Sequence, residues 1–470
     1  MKVLLLRPRP ESYAFSPAPP LGLGYLATAL INHGFETKIL DLNNRLNRKR
    51  DIVNQIKNYD PDLVGVQVYS RDLQESRDLL GRLRSCLKPA VPIVVGGPHP
   101  STMPDQLFDH LDAADYGLMG EAELTLPLLA RHLSENPGCL PEAIPGLVYR
   151  LDHTVRVNPA TPPENLDALD FPAWDAMRLK GYPHTEIFGG GFYKRAPAMT
   201  MLTSRGCPFH CTFCGARRLY GDRVRYRNPE RVVDEMEILG NKYGFQELKI
   251  IDDNFNATRQ HVLEIGEAFA RRPVDVSMSF ACGLHLRTLD DEVLRTIKLL
   301  GGYELMVAIE SGSQRVLNLM KKQVDLSEVR EKVALIRRHG FKVIFLFILG
   351  YPGETPEEIE QSIRLALDLP LDRAHFNCFS PFPGSEIYSQ LLEQGRLKNF
   401  AARHVHFETM QYSFVDGLDA RQLNRIRQKA LLRFYLRPRS FFSLLVSFRK
   451  WPNLKFLLVK AAEYFRFSRR

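Results

Sequence analysis

The sequence of 470 residues lacks both a disulfide framework and a membrane-spanning run. Four of its seven cysteines stand alone in the chain: Cys86, Cys139, Cys282 and Cys378. The start, MKVLLLRPRPE, turns polar too early for a signal peptide, and apolar runs such as KVIFLFILGYPG fall short of the roughly 20 residues that cross a bilayer. We therefore expect a reduced, cytoplasmic protein of two or three domains.

Most of the chain carries no net charge, and the positive excess is confined to its end. Residues 1–432 carry 53 basic and 53 acidic residues, whereas residues 433–470 carry ten basic residues, one acidic residue and ten aromatic residues. This pattern favours a tail that lies on the inner face of a membrane, where each near-surface cation contributes on the order of 1 kcal/mol. Two alternatives stay open: the tail caps the preceding domain, or it binds nucleic acid, which its leucine content disfavours.

Residues 1–140 alternate short β-branched runs with helical patterns. Repeated β-α units of this kind predict an α/β fold with a doubly wound, parallel, Rossmann-like sheet, in which the ligand lies beyond the carboxyl ends of the strands. Glycines in the segments at these ends would let a bulky ligand approach the backbone. The segments are SPAPPLGLG (16–24), VYSRD (68–72), GGPHPS (96–101) and MGEAE (119–123).

A Pro-rich, irregular linker is expected over residues 141–197, because proline fixes the chain and withholds a donor. Residues 198–390 then contain six strand patterns, each but the last followed by a helical pattern, which predicts a partial (β/α)6 barrel. The patterns are AMTMLT, ELKIID, VSMSFA, ELMVAIE, VIFLFILG and AHFNCFS. Residues 391–470 are expected to form a helical region that ends in the basic aromatic tail.

Three cysteines follow the first barrel strand in the segment SRGCPFHCTFCGARR. Cys207, Cys211 and Cys214 have the spacing C-x3-C-x2-C, and no second pair lies at a distance suited to zinc, which prefers four closed ligands. Three thiolates can instead bind three irons of a 4Fe–4S cube. The fourth iron would then stay open to a chelating ligand, to which it could pass one electron.

This segment resembles the signature of the radical S-adenosylmethionine (SAM) superfamily, in which the open iron holds SAM and reduction gives a 5′-deoxyadenosyl radical. IIDDNF, AIESGSQRVLNLMKK and FILGYPGET are similar to the family's SAM-binding segments. The resemblance implies SAM contacts at six residues: Phe213, Asp252, Asp253, Glu310, Ser311 and Gly350. Lys321 and Lys322 follow Glu310, and a cation there could meet the SAM carboxylate or could lie on a solvated helix face.

The N-terminal segments are similar to the cobalamin-binding domain of the radical SAM group that contains porphyrin-ester cyclases and phosphonate and hopanoid methylases. The chain lacks D-x-H-x-x-G, so the usual lower histidine ligand to cobalt is missing. We expect His99 to line the corrin or its nucleotide tail; the alternative is that it replaces the missing axial ligand. The resemblance implies cobalamin contacts at seven residues: Leu21, Gly22, Gly96, Gly97, His99, Gly120 and Glu121.

The two resemblances imply an enzyme that uses a 4Fe–4S cluster, SAM and cobalamin to methylate an unactivated carbon of a lipid-like or natural-product substrate. One alternative is a cyclase or oxidoreductase of the anaerobic porphyrin-ester type without methyl transfer, and another is a cobalamin-binding sensor or carrier. The expected partners are a small, apolar substrate and a one-electron donor such as flavodoxin or ferredoxin. No residue of the sequence is assigned a catalytic role, and we expect Cys282 to be a buried apolar thiol rather than a ligand.

Overall fold

A computed structural model describes residues 1–9, 18–48, 51–182, 193–280, 282–397 and 411–440. Within these ranges the strands are β1 (Lys2–Arg7), β2 (Glu36–Asp41), β3 (Leu63–Gln67), β4 (Ile93–Gly96), β5 (Tyr116–Leu118), β6 (Leu147–Leu151), β7 (Thr154–Val157), β8 (Ala198–Met201), β9 (Ser204–Arg205), β10 (Arg225–Tyr226), β11 (Glu247–Ile250), β12 (Ser277–Phe280), β13 (Glu304–Glu310), β14 (Lys342–Leu349) and β15 (Arg373–Cys378).

The α-helices of the same ranges are α1 (Leu21–Asn32), α2 (Arg45–Arg48), α3 (Ile52–Tyr59), α4 (Leu73–Cys86), α5 (Pro98–Thr102), α6 (Leu107–His110), α7 (Thr125–Glu135), α8 (Ala216–Tyr220), α9 (Pro229–Glu237), α10 (Arg259–Arg271), α11 (Asp291–Leu299), α12 (Gln314–Leu319), α13 (Val329–Arg338), α14 (Pro356–Asp368), α15 (Glu386–Glu393) and α16 (Ala420–Tyr435).

The N-terminal domain is a sheet with strand order β2-β1-β3-β4-β5-β6-β7. The strands β1 to β5 pair in parallel, as the repeated β-α pattern predicts. The strand order reverses between β1 and β3, because β2 lies on one side of β1 and β3 on the other. Open α/β sheets bind their ligands at the carboxyl edge beside such a reversal.

A hairpin extends this sheet where the sequence analysis expected only irregular chain. The strands β6 and β7 pair antiparallel, and β6 also pairs antiparallel with β5. Asp152 and His153 connect them with φ values of 49° and 62°, the left-handed conformations of a type I′ turn. Such turns usually contain Asn-Gly or Asp-Gly, so the sequence carried no strong hairpin signal here. The boundaries at residues 140, 197 and 390 stay predictions.

The six predicted barrel strands are confirmed as parallel strands. They form two sheets with the orders β12-β11-β8 and β13-β14-β15. Isolated bridges from Met278 to Gly302 and from Leu284 to Val307 join the two sheets. The strands β8, β11, β12, β13, β14 and β15 therefore follow one another in chain order, as in a partial (β/α)6 barrel.

Residues alternate along each barrel strand between the helix layer and the barrel interior. In β13, Leu305, Val307 and Ile309 are fully buried in the main hydrophobic core, whereas Ala308 faces the other way and stays partly accessible. The carboxyl ends of the strands point to one rim, which collects the loops that carry polar residues.

The C-terminal helix α16 packs on the barrel through Phe434, which is fully buried. Tyr435 donates a hydrogen bond from its hydroxyl to Ala374 O at 3.1 Å, and Arg433 forms an ion pair with Glu360 at 2.8 Å. The start of the basic aromatic tail thus contacts the barrel, while residues 441–470 lie outside the described residues. Among the described helices, none has the length and apolarity to cross a membrane.

Candidate functional site

The three clustered cysteines lie in the loop between β9 and α8, beyond the carboxyl end of β8. They are free thiols, and the Cys214 N–H donates to Cys211 O at 3.1 Å. Burial is the main reason why the pKa of Cys211 is raised to about 12; Lys322 opposes this rise, and the other two cysteines and Glu310 add to it. In the described part of the chain, no three His, Cys, Asp or Glu side chains converge on one metal ion. A 4Fe–4S cluster does not need ligands that converge on one ion, because each thiolate binds a different iron. Three thiols on one loop fit such a cluster.

Thr212 anchors the middle of the cysteine loop to the barrel. Its N–H donates to Met320 O at 3.0 Å, its carbonyl accepts from Ile387 N–H at 3.0 Å, and its hydroxyl lies 2.7 Å from the Tyr351 hydroxyl. The neighbouring Phe213 packs partly buried against an apolar cluster that contains Tyr351 and Met320. The loop between the cysteines is therefore fixed on both sides of Thr212.

The two predicted acidic contacts after β11 hold the chain that enters the cysteine loop. Buried Asp252 accepts from the Thr203 N–H at 2.7 Å, the Thr203 hydroxyl at 2.5 Å and the Ser204 hydroxyl at 2.6 Å. Asp253 accepts from the Gly206 N–H at 3.0 Å. Burial raises the pKa of both carboxyls, that of Asp252 to about 6. Both side chains therefore position backbone immediately before Cys207.

Glu310 and Lys322 form a buried ion pair beside the cysteines. Lys322 Nζ lies 3.2 Å from Glu310 Oε1, and each side chain is 9% exposed. Burial opposes the Lys322 charge, but Glu310 and the thiol of Cys211 outweigh it and raise the Lys322 pKa. Glu310 has a φ of 70° at a bulge of β13, a strained conformation that clusters at functional sites. The cation is therefore held close to the thiols and not on a solvated face.

Two more predicted SAM contacts already have partners within the fold. The Ser311 hydroxyl lies 3.3 Å from the Ser362 hydroxyl and accepts from the Ser313 N–H at 3.1 Å. The Gly350 N–H donates to Glu354 Oε2 at 2.7 Å. Both residues lie at strand ends on the same rim as the cysteine loop. The Ser311 hydroxyl and the Gly350 N–H are used in hydrogen bonds that stabilise local turns.

A cavity of about 380 Å³ lies between the carboxyl edge of the N-terminal sheet and the barrel. Six of the seven predicted cobalamin contacts line it: Leu21, Gly22, Gly96, Gly97, Gly120 and Glu121. The barrel contributes Thr200, Leu202 and Ile251, so the two domains share the cavity walls.

The cavity walls fit a large ligand that carries hydrogen-bonding groups. Gly97 has a φ of 100°, and a Cβ there would lie 3.1 Å from Val68 O. Two buried polar atoms of the lining residues, Gln67 Oε1 and Thr200 Oγ1, have no hydrogen-bond partner in the described structure. Buried polar atoms are normally paired, so these two are available to a bound group.

His99 is not among the residues that line this cavity. It is buried in α5, where Nδ1 lies 3.0 Å from the Ser70 hydroxyl and Nε2 lies 3.2 Å from His110 Nδ1. Burial lowers its pKa to about 3, with a smaller contribution from His110. Both ring nitrogens thus have partners inside the N-terminal domain.

Glu121 faces the cavity but is bound by two arginines that the sequence analysis missed. Arg205 Nη1 lies 2.6 Å from Glu121 Oε2 and 2.8 Å from Glu123 Oε1, and Arg225 pairs with Glu121 Oε1. The four charged side chains are at most 11% exposed. The one available signal was the position of Arg205, two residues before Cys207.

Two family models match the chain. The model described as "Radical SAM superfamily" covers residues 201–366, and the model described as "B12 binding domain" covers residues 13–130. The first range contains the cysteine loop and Glu310, and the second contains the glycine segments of the cavity.

Several curated proteins are similar along most of their length. The chain is 31% identical to the cytidylyl-2-hydroxyethylphosphonate methyltransferase of Streptomyces wedmorensis, over 84% of this chain and 82% of the relative. It is 29% identical to an uncharacterised methyltransferase of Pyrococcus horikoshii, over 93% of both chains. Identity to the anaerobic magnesium-protoporphyrin IX monomethyl ester cyclase of Cereibacter sphaeroides is 24%, over 88% of this chain but 64% of the relative.

Solved structures confirm the two-domain fold. The radical SAM methyltransferase TsrM from Kitasatospora setae, with cobalamin and a 4Fe–4S cluster bound, superposes with a TM-score of 0.68 at 23% identity, over 93% of this chain and 82% of TsrM. The cobalamin-dependent radical SAM enzyme OxsB superposes with a TM-score of 0.65 at 19% identity, over 84% of this chain and 55% of OxsB.

Proposed function

The chain belongs to the cobalamin-binding radical SAM enzymes, and from that premise we propose that it transfers a methyl group to a carbon atom of a small-molecule substrate. When bound, the 4Fe–4S cluster, SAM and cobalamin supply the electron, the radical initiator and the methyl carrier. The observation that carries the proposal is that the chain entering the cysteine loop forms part of the wall of the interdomain cavity. Arg205, two residues before Cys207, lines that cavity together with Glu121.

We assign the cluster to Cys207, Cys211 and Cys214, because they supply three free thiols from one anchored loop. Lys322 provides a buried positive charge next to these thiols, which would offset the negative charge that a cluster and its thiolates bring. Glu310 fixes the lysine head group through the 3.2 Å ion pair. The carboxylates of Asp252 and Asp253 keep the entrance to the loop in place through Thr203 and Gly206.

Apolar side chains on the barrel side of the cavity would limit the access of water to a bound cofactor and substrate. Leu202 and Ile251 line the cavity from the carboxyl ends of β8 and β11. Radical chemistry requires a closed, dry site, because a carbon radical would otherwise react with other groups. The N-terminal domain covers this rim of the barrel and supplies the opposite wall.

Methyl transfer is favoured over the cyclase alternative by sequence identity. The chain is 31% identical to the cytidylyl-2-hydroxyethylphosphonate methyltransferase and 29% identical to the Pyrococcus horikoshii methyltransferase, but 24% identical to the porphyrin-ester cyclase of Cereibacter sphaeroides. This difference supports methyl transfer as the reaction.

We infer from the side chains of the barrel interior that the substrate has an apolar body. Three partly accessible residues of β13 and β14 project into the interior: Ala308, Leu346 and Ile348. They alternate along the strands with buried residues that face the helices. His375 and Asn377 of β15 pair in register with Leu346 and Ile348, so the same face also offers polar groups. A natural product with an apolar skeleton and a few polar groups would match such a wall.

Two partners belong to the same proposal. The cluster needs one electron for each turnover, which a flavodoxin or ferredoxin would supply. Membrane contact would come from the basic aromatic tail, of which residues 433–440 pack on the barrel. Flotation with anionic liposomes, with and without residues 441–470, tests that contact, and equal flotation of the two proteins would contradict it.

The reaction is tested with anaerobically reconstituted full-length protein, methyl-labelled SAM and a low-potential reductant. Two acceptors are supplied together with an extract of small metabolites: a cytidylyl phosphonate, of the kind in the name of the Streptomyces wedmorensis relative, and tryptophan, which is the substrate in another solved structure of TsrM. We expect 5′-deoxyadenosine and label in a new methylated compound, and neither with Cys211→Ala. Release of 5′-deoxyadenosine together with an unlabelled, altered acceptor would support the cyclase alternative. Failure to release 5′-deoxyadenosine would contradict both functions.

A further inference from the structure

Gln67 occupies a special position in the N-terminal sheet. It is the last residue of β3, next to the reversal of strand order between β1 and β3. In open parallel sheets a ligand binds in the crevice at this reversal, beyond the carboxyl ends of the strands. Gln67 lines the interdomain cavity and pairs in register with Gly96 of β4.

The Gln67 side chain lies between two of the glycine segments that border the cavity. A Cβ on Gly97 would lie 3.5 Å from Gln67 Cγ, and a Cβ on Gly22 would lie 3.9 Å from Gln67 Nε2. The absence of side chains at both glycines therefore leaves space beside the amide. A large planar group that approaches the glycine backbone would also approach this amide.

The Gln67 amide is only half satisfied. Its Nε2 donates to the Tyr69 hydroxyl at 3.4 Å, whereas its buried Oε1 has no partner in the described ranges. An unpaired buried acceptor is costly, and native structures retain such atoms mainly where a ligand or water completes the hydrogen bond. The unpaired oxygen lies on the side chain that borders the space left by the glycines.

We propose that Gln67 is a cofactor-contact residue whose Oε1 accepts a hydrogen bond from bound cobalamin. This inference rests on the proposed function only in requiring that cobalamin occupies the cavity. Two donors of cobalamin share the required chemistry, an N–H of a peripheral amide and an O–H of water on cobalt. Gln67 lies one residue before the segment VYSRD, and no sequence motif marks it.

The test compares Gln67→Leu with Gln67→Glu in the full-length protein. Leucine removes the acceptor at similar volume, whereas glutamate keeps an acceptor oxygen. Gln55→Leu is the matched control, because Gln55 also has an unpartnered buried amide atom but lies on α3 outside the cavity lining. Hydroxocobalamin is titrated into each cofactor-free protein, and thermal unfolding checks that each variant is folded. The bound cofactor is then reduced by one electron for electron paramagnetic resonance.

We expect Gln67→Leu to weaken hydroxocobalamin binding about tenfold, the worth of one hydrogen bond, and Gln67→Glu and Gln55→Leu to stay within about threefold of wild type. A changed resonance spectrum in Gln67→Leu identifies water on cobalt as the donor, and weaker binding with an unchanged spectrum identifies a peripheral amide. Unchanged affinity together with an unchanged spectrum would overturn the proposal while leaving the proposed function intact. Wild-type protein that fails to bind hydroxocobalamin would overturn both.

Discussion

Arg205 Nη1 lies 2.6 Å from Glu121 Oε2, and this contact joins the cysteine loop of the barrel to the N-terminal domain. The same guanidinium lies 2.8 Å from Glu123 Oε1 and stacks over the Tyr25 ring at 4.7 Å. Only Gly206 separates Arg205 from Cys207. The two domains therefore share a buried network of charges immediately beside the proposed cluster.

Glu121→Gln should strongly destabilise the cofactor-free protein. The change leaves the buried Arg205 and Arg225 with less compensating charge, and breaking a buried ion pair costs on the order of 3–5 kcal/mol. Denaturant unfolding measures the loss. Glu230→Gln is the control, because Glu230 also pairs with two arginines but on the surface. It should change stability much less, and equal effects of the two substitutions would contradict the importance of the buried network.

Cys211→Ala should abolish the absorption and resonance signals of a reconstituted 4Fe–4S cluster, because one iron would lose its thiolate. Cys282→Ala is the matched control. Cys282 lies on the same rim but outside the C-x3-C-x2-C loop, and its thiol contacts Ile251 O at 3.5 Å. The expectation that Cys282 is buried was wrong, because the residue is exposed at this rim. Iron and sulfide content per chain checks both variants. A full-strength cluster in Cys211→Ala, or its loss in Cys282→Ala, would contradict the assignment.

Glu354→Gln should remove a pH dependence of stability. Burial raises the pKa of Glu354 to about 8 from a usual value of 4.5, so the native state retains a proton that the unfolded chain releases. Wild-type stability should then fall as pH rises from about 4.5 to about 8. The glutamine variant mimics the protonated acid and should gain on the order of 2 kcal/mol relative to wild type between pH 5.5 and pH 8. If the free energies of unfolding of wild type and variant changed equally with pH across this range, the raised pKa of Glu354 would be contradicted.

Two threonine substitutions should change stability in opposite directions. Thr200→Val replaces a buried hydroxyl without a described partner by a methyl group of similar volume, and should stabilise the cofactor-free protein by about 1 kcal/mol. Thr203→Val removes a hydroxyl that donates to Asp252 at 2.5 Å and lies 2.9 Å from His261 Nε2. It should destabilise by roughly 1–3 kcal/mol.

Thermal and denaturant unfolding of both threonine variants give the sign of each change. Destabilisation by Thr200→Val would show that its hydroxyl has a partner in solution. Stabilisation by Thr203→Val would contradict the tight acceptor role of Asp252.

The barrel strands were predictable because each is a short, largely apolar run, and their order in the barrel follows their order in the chain. The hairpin of β6 and β7 was missed, since Asp152 and His153 adopt the turn without the usual glycine. His99 was placed beside cobalamin because its segment follows β4, but the packing of α5 directs its ring to Ser70 and His110. The presence of a strand follows from local pattern, whereas the direction of a side chain depends on what packs against it.

The sequence by itself determined which thiols can act together, because Cys207, Cys211 and Cys214 lie within eight residues of one loop. Which charged and polar groups surround them was decided only by the tertiary structure. Glu121 meets Arg205 across 84 residues of chain, and Gln67 is left with an unpaired oxygen because glycines of two other segments leave space beside it. Such pairings depend on how distant segments pack, and the spacing of residues along the chain does not encode that.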